Sequence, residues 1–306
     1  MQKEELINEI KRLKEEKNAV ILAHNYQIGE VQDIADFAGD SLELSRKAAN
    51  TDSNIIVFCG VLFMAESAKI LSPDKKVLIP DISAGCNMAE MITGDDVKKL
   101  REQYPDAVFV AYINTKADVK ANVDICVTSS NALNVVQSLK QKKIVFLPDK
   151  NLGAYIKKNV KDKEIILYDG YCYVHNNFEI SDVNEKKELY PDYPLIAHPE
   201  SPSEVLDKAD VIASTSGMLK YIKENNIKKA IIGTEVGLIH QMRKIFSDGE
   251  YIPLSNQGIC ANMKKITLEK LYMSLKEEKY EIHLDEEIIL NAKKSLFRMI
   301  NNDFNF

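Results

Sequence analysis

The chain of 306 residues is 45% hydrophobic and 28% charged, with 46 acidic against 40 basic side chains, a net charge of -6, five cysteines and no tryptophan. No segment approaches the roughly 18 uncharged apolar residues that a membrane span needs, and the charged N-terminus MQKEELINEIKRLKEEKN has no apolar signal-peptide core. A mildly acidic balance without a Lys/Arg-rich run argues against nucleic acid as a general partner, because phosphate neutralisation needs clustered cations; the expectation is a soluble, cytoplasmic globular protein.

In chain order, Leu6, Ile10 and Leu13 amid Glu and Lys predict an amphipathic lead-in helix. The pattern then changes to short apolar runs bounded by Gly, Pro, Asp or Ser: 19–24, 54–60, 76–80, 107–113, 143–148, 164–170, 194–200, 210–215 and 229–234. Runs of this length, β-branched in part, predict buried parallel strands. Between them LELSRKAAN, LNVVQSLKQKK and MLKYIKENN carry apolar residues three and four apart. Strands alternating with such stretches predict an α/β protein built from βαβ units. The tail DEEIILNAKKSLFRMINN predicts a packing helix.

Placing residue i beside i+88 and i+174 aligns Leu22, Val110 and Ile196, then Ala23, Ala111 and Ala197, then Asp36, Asp124 and Asp210. The chain reads as three copies of one unit. The expected organisation is an N-terminal helix 1–17, units 18–104, 105–191 and 192–265, and C-terminal helices 266–306 packing on the core. Cys86, Cys172 and Cys260 follow the repeat, 86 and 88 residues apart, each in a loop-like setting. Cys59 and Cys126 lie in apolar strand contexts and read as core residues.

If three such units pack around a pseudo-threefold axis, their equivalent loops meet there. Three thiolates from separate loops suit zinc or an iron-sulfur cluster; the plain alternative is that all five thiols are buried hydrophobes. In a 4Fe-4S cube three protein ligands would leave one iron open as a Lewis acid. The register also aligns Ser41, Ser129 and Thr215, each before a helical stretch. Singly these read as helix N-caps, whereas three N-termini on one axis would favour an anion. His24, Tyr26, Tyr112, Asn114, His198 and Glu200 fall where strands end, the usual place of α/β active sites. Either they are satisfied structural residues or they supply acid, base and hydrogen-bonding groups to one cavity. His175, three residues after Cys172, would orient a sulfur or touch substrate; His240 and His283 read as surface or structural. GxGxxG, Walker A, CxxC and CxxxCxxC are missing, so dinucleotide, P-loop, thioredoxin and radical S-adenosylmethionine chemistry have no motif.

The segments AHNYQIGEVQDIADFAGDSLELSR, CGVLFMAESAKIL, PDISAGCNMAEMI, AYINTKADVKANVDICVTSSNA, FLPDKNLGAY, GYCYVH, IAHPESPSEVLDKADVIASTSGM, GTEVGLIHQM and CANMKK, in this order from about residue 18 to 270, resemble the quinolinate synthases of bacteria and archaea. The resemblance implies three αβα sandwiches about a pseudo-threefold axis with a central 4Fe-4S cluster. It implies a transferase of de novo NAD biosynthesis that condenses iminoaspartate with dihydroxyacetone phosphate to quinolinate, with an aspartate oxidase or dehydrogenase as the source of iminoaspartate. Carried over by motif, Cys86, Cys172 and Cys260 would hold the cluster. His24, Ser41, Tyr112, Ile113, Asn114, Ser129, His198, Pro199, Glu200 and Thr215 would bind the iminoaspartate part; Glu200 would be the base, Tyr26 and Tyr112 would assist proton transfer, and His175 and Met263 would border the pocket. Some members carry CxxCxxC near the C-terminus; here Cys260 is followed by Ala-Asn-Met, so that redox disulfide is not expected. Rival readings are a diphthamide-type cluster enzyme acting on S-adenosylmethionine, a non-catalytic iron-sulfur sensor, and a structural zinc protein.

Overall fold

The computed structural model describes residues 2–304. It contains three four-stranded parallel sheets. The first is built from β1 Ala19–His24, β2 Phe37–Gly39, β3 Ile55–Cys59 and β4 Lys76–Leu78, and the second from β5 Val108–Tyr112, β6 Ile125–Val127, β7 Lys143–Leu147 and β8 Glu164–Leu167. The third comprises β9 Leu195–Ala197, β10 Val211–Ile212, β11 Lys229–Gly233 and β12 Glu250–Pro253. Each has the same order, with its second strand at one edge, its first and third central and its fourth at the other edge. Helices flank every sheet, so the architecture is α/β with three similar αβα units.

The central strands are where the sequence predicts them because they are covered on both faces: all six residues of β1 and all five of β3 and of β5 are buried. The strands without a predicted counterpart are β2 and β12, both at sheet edges; β6 falls on the strand context read around Cys126. Phe37-Ala-Gly39 and Glu250–Pro253 are partly exposed and too mixed to form an apolar run; Ile125–Val127 is buried but only three residues long.

The 88/174 register is a structural repeat. Asp36 accepts the Ile21 N–H at 2.8 Å, Asp124 accepts that of Phe109 at 2.7 Å, and Asp210 accepts that of Leu195 at 2.7 Å. In each unit this aspartate, just before the second strand, pins the first. The lead-in helix Lys3–Glu16 buries Leu6, Ile10 and Leu13, as its spacing predicts. The last helix, Glu286–Asn301, packs Ala292, Leu296 and Met299 against the first two units. Those two units share one continuous core, while the two faces of the third sheet form separate clusters. No helix among the described residues is long and apolar enough to cross a membrane.

Candidate active site

Parallel strands direct their C-terminal ends the same way, and in this fold those ends open onto one cavity shared by all three units. His24 closes β1, Tyr112 closes β5, and His198 follows β9. Two residues further on in each unit stand Tyr26, Asn114 and Glu200, all lining the cavity. The loops after the fourth strands bring in Cys86, Cys172 and Cys260. Each cysteine runs into a short helical turn: Met88–Glu90, Tyr173–Asn176 and Met263–Lys265. The predicted three-plus-two division of the thiols holds in this geometry: Cys59 and Cys126 are fully buried in the core and the other three are half-buried at the cavity.

Ser41, Ser129 and Thr215 also line it, but not as N-caps. The caps are Asp40, which accepts from Leu42 and Glu43, and Ser214, which accepts from Gly217; the second unit's helix begins later, at Ala132 with Asn131 as cap residue. In the first and third units a neighbour takes the capping task, and in the second the helix starts further along, so these hydroxyls are left for the cavity. Thr215 accepts from Asn25 at 3.1 Å and Ser129 meets His198 Nε2 at 3.1 Å. Of the other predicted residues, Met263 and His175 line the cavity, whereas Ile113 and Pro199 are buried outside its lining. His240 pairs with Asp33 at 3.0 Å away from the cavity, and His283 is exposed.

Glu200, 2% exposed, is the hub. Tyr112 Oη donates to its Oε1, and His175 Nδ1 lies 2.7 Å from Oε2. His198 stacks on His175 with centroids 4.5 Å apart. On its other side His175 Nε2 is 2.8 Å from Thr234 Oγ1, which is 2.7 Å from Tyr26 Oη. A hydrogen-bonded chain therefore links the two tyrosines through Thr234, His175 and Glu200. A consistent set of donors runs from Tyr26 to Thr234 to His175 Nε2, with His175 Nδ1–H and Tyr112 both donating to Glu200. Thr234, absent from the predicted set, closes this chain. It sits one residue past β11, and Gly60 and Pro148 occupy the equivalent positions in the register, so no shared polar residue marked it.

Burial sets the charges. It lowers His24 and His198 to about 3, so both are neutral at pH 7. It raises Tyr26 and Tyr112, with the Glu200 charge adding to the effect. For Glu200 burial pushes upward, but the neighbouring histidines and the Tyr112 hydroxyl outweigh it and the carboxyl is lowered. No lysine or arginine among the described residues lines the cavity. An anion would therefore be held by neutral imidazoles and hydroxyls; the helix start at Ser41 is already capped by the Asp40 carboxylate, which also lines the cavity. Asn114 Oδ1 is buried there without a partner, an acceptor available to a ligand.

The donor set fits a soft metal group. Burial raises Cys86 to about 12 and also raises Cys172 and Cys260. Without a cation these thiols stay protonated, and bound iron or zinc would make them thiolates. Cys172, His175 and Glu200 offer ligand atoms within 4.8 Å of one another. His175 Nδ1 is 3.3 Å from Cys172 Sγ, placed to orient that sulfur.

Fold and cavity together define a class: a three-unit α/β protein whose units share one cavity that brings three thiols beside a carboxylate–tyrosine–histidine network. The family described as Quinolinate synthetase A protein matches residues 8–301. The chain is 52% identical over 301 residues to a quinolinate synthase of Aquifex aeolicus, covering 97% of this chain and 94% of the relative. It is 49% identical over 297 residues to one from Caldicellulosiruptor bescii, covering 97% and 98%. It is 48% identical over 296 residues to quinolinate synthase 2 of Methanosarcina acetivorans, covering 97% and 95%. The chain belongs to the quinolinate synthetase A family.

Proposed function

We propose that this protein is a quinolinate synthase that condenses iminoaspartate with dihydroxyacetone phosphate to give quinolinate, phosphate and two waters, a transferase step of NAD biosynthesis. The observation that carries the reading is the joining, in one cavity of a chain from this family, of three repeat-related cysteines with the Glu200–Tyr112–His175 cluster. Cys86, Cys172 and Cys260 would hold a 4Fe-4S cluster. When bound, such a cluster with three protein ligands supplies an iron with an open position, a Lewis acid for a hydroxyl or carboxylate.

The side chains divide the remaining work. The hydroxyls of Ser41, Ser129 and Thr215, with His24 and His198, orient the substrate carboxylates through neutral donors. Asn114 Oδ1, otherwise unpaired, accepts from the imine nitrogen or a hydroxyl. Glu200, ionised at neutral pH, takes the proton that carbon–carbon bond formation releases. Tyr112 and Tyr26, kept protonated by burial, deliver protons to departing oxygens. His175 fixes the carboxylate through Nδ1, and Thr234 fixes His175.

The test is anaerobic incubation of iron- and sulfide-replete protein with dihydroxyacetone phosphate and freshly generated iminoaspartate. Quinolinate is the expected product, and its absence would overturn the reading.

A further inference from the structure

Just past the third strand of each unit, the 88/174 register aligns Val61, Asp149 and Glu235. Asp149 and Glu235 are 0% exposed, an expensive place for a carboxylate unless it is hydrogen-bonded. Each accepts the main-chain N–H of a cavity cysteine: Asp149 Oδ2 that of Cys172 at 3.1 Å, and Glu235 Oε1 that of Cys260 at 3.0 Å.

Helix capping does not account for the pair. Asp149 caps the helix Lys150–Asn159 with Oδ1 alone, accepting from Leu152 at 2.7 Å, which leaves Oδ2 for the cysteine. Glu235 is not the cap residue of the helix Leu238–Ile245; its other partners are the Gly237 N–H at 2.7 Å and Lys264 Nζ at 2.8 Å. The contact the two acids have in common is the cysteine N–H. All three units share a main-chain tie one residue further on, from the Leu62 N–H to the Ala84 carbonyl at 2.8 Å, Lys150 to Gly170 at 2.8 Å and Val236 to Gly258 at 2.9 Å, each two residues before the cysteine; in the first unit Val61 adds no side-chain acceptor to it. The backbone tie is therefore common to all three cysteine loops, and Asp149 and Glu235 add a carboxylate contact to the cysteine itself in the second and third.

We propose that Asp149 and Glu235 are positioning residues for the thiol centre, holding the Cys172 and Cys260 loops at the cavity. This rests on reading Cys86, Cys172 and Cys260 as cluster ligands. Two consequences follow. The loops are fixed by partners that an alanine cannot replace. The Cys172 and Cys260 N–H groups are also committed to side-chain oxygens rather than to sulfur, which keeps a bound cluster's potential low.

The test uses full-length protein reconstituted anaerobically with iron and sulfide, comparing wild type with Asp149→Ala, Glu235→Ala, Asp149→Asn and Glu235→Gln. Measured are the rate of iron loss to a chelator, the cluster midpoint potential by EPR-monitored titration, and the circular dichroism melt of the cluster-free proteins. Removing such an outer partner typically weakens a metal site about 10- to 100-fold, so the alanine variants are expected to lose iron at least about tenfold faster. The amides, which still offer an oxygen to the N–H, should recover part of that loss and return the midpoint potential, raised in the alanine variants, toward wild type. Alanine variants that melt lower but match wild type in iron loss and potential would overturn the proposal, reducing both acids to fold stabilisers. Failure of wild type itself to take up iron and sulfide would overturn instead the cluster reading beneath it.

Discussion

Replacing Glu200 with glutamine separates the chemistry of the cavity from its architecture. The carboxylate is 2% exposed and receives Tyr112 Oη on one oxygen and His175 Nδ1, at 2.7 Å, on the other. A glutamine oxygen can still accept from Tyr112, but its amide turns a donor toward the Nδ1–H of His175. The lost charge-assisted hydrogen bond is worth about 1.5–3 kcal/mol, partly offset because a buried charge no longer has to be desolvated. The net change in folding stability is therefore small. If Glu200 is the base, as proposed, its loss is not offset: a positioned general base contributes about 10²- to 10⁴-fold, or roughly 3–5 kcal/mol of barrier. The expected outcome is a fall in kcat of about 10²- to 10⁴-fold with wild-type iron and sulfide content, since the three cysteines are untouched. Anaerobic quinolinate formation at saturating substrates, with iron analysis of the same sample, measures both. A variant that keeps its iron and turns over at wild-type rate would refute the assignment of Glu200 as base.

Substituting Cys86, Cys172 or Cys260 with serine should reduce bound iron and sulfide to near background, while Cys59→Ala and Cys126→Ala should keep the iron and melt lower, as expected of fully buried thiols; elemental analysis and thermal melts distinguish them. Stability should also fall on acidification. His24 and His198 are lowered from 6.5 to about 3 by burial, so below about 6.5 the unfolded chain binds protons that the folded chain refuses, at about 1.4 kcal/mol per pH unit for each histidine. That stability is fully present above pH 6.5 and drains away as the pH falls toward 3, and a series of denaturant melts should show it reduced in a His24→Gln variant. Finally, Asp36→Ala, Asp124→Ala and Asp210→Ala each remove the same anchor from a different unit. Each should cost about 1–3 kcal/mol through an orphaned main-chain N–H, read as a lower unfolding midpoint.

The sequence by itself determined the parts of this protein that depend on local pattern and on repetition. Strands covered on both faces must be continuously apolar, so β1, β3, β5, β7 and β11 are visible as runs. A unit used three times repeats its spacing, so Asp36, Asp124 and Asp210 and the three cavity cysteines can be found by arithmetic alone. Edge strands that are partly exposed and mixed in composition carry no such signature, and β2 and β12 went unmarked. The tertiary structure alone decided which hydroxyl caps and which faces the cavity: Asp40 and Ser214 take the cap role, one residue before the predicted positions, and free Ser41 and Thr215. It alone brought Thr234 between Tyr26 and His175, residues 208 and 59 positions away. Asp149 and Glu235 fall between these cases. Their register was legible, but their task was not, because a carboxylate's partner is fixed only when a loop more than twenty residues along the chain folds back to present its N–H. Periodicity records which face of an element is buried; the contacts that make the shared cavity form between units, where no local period reaches.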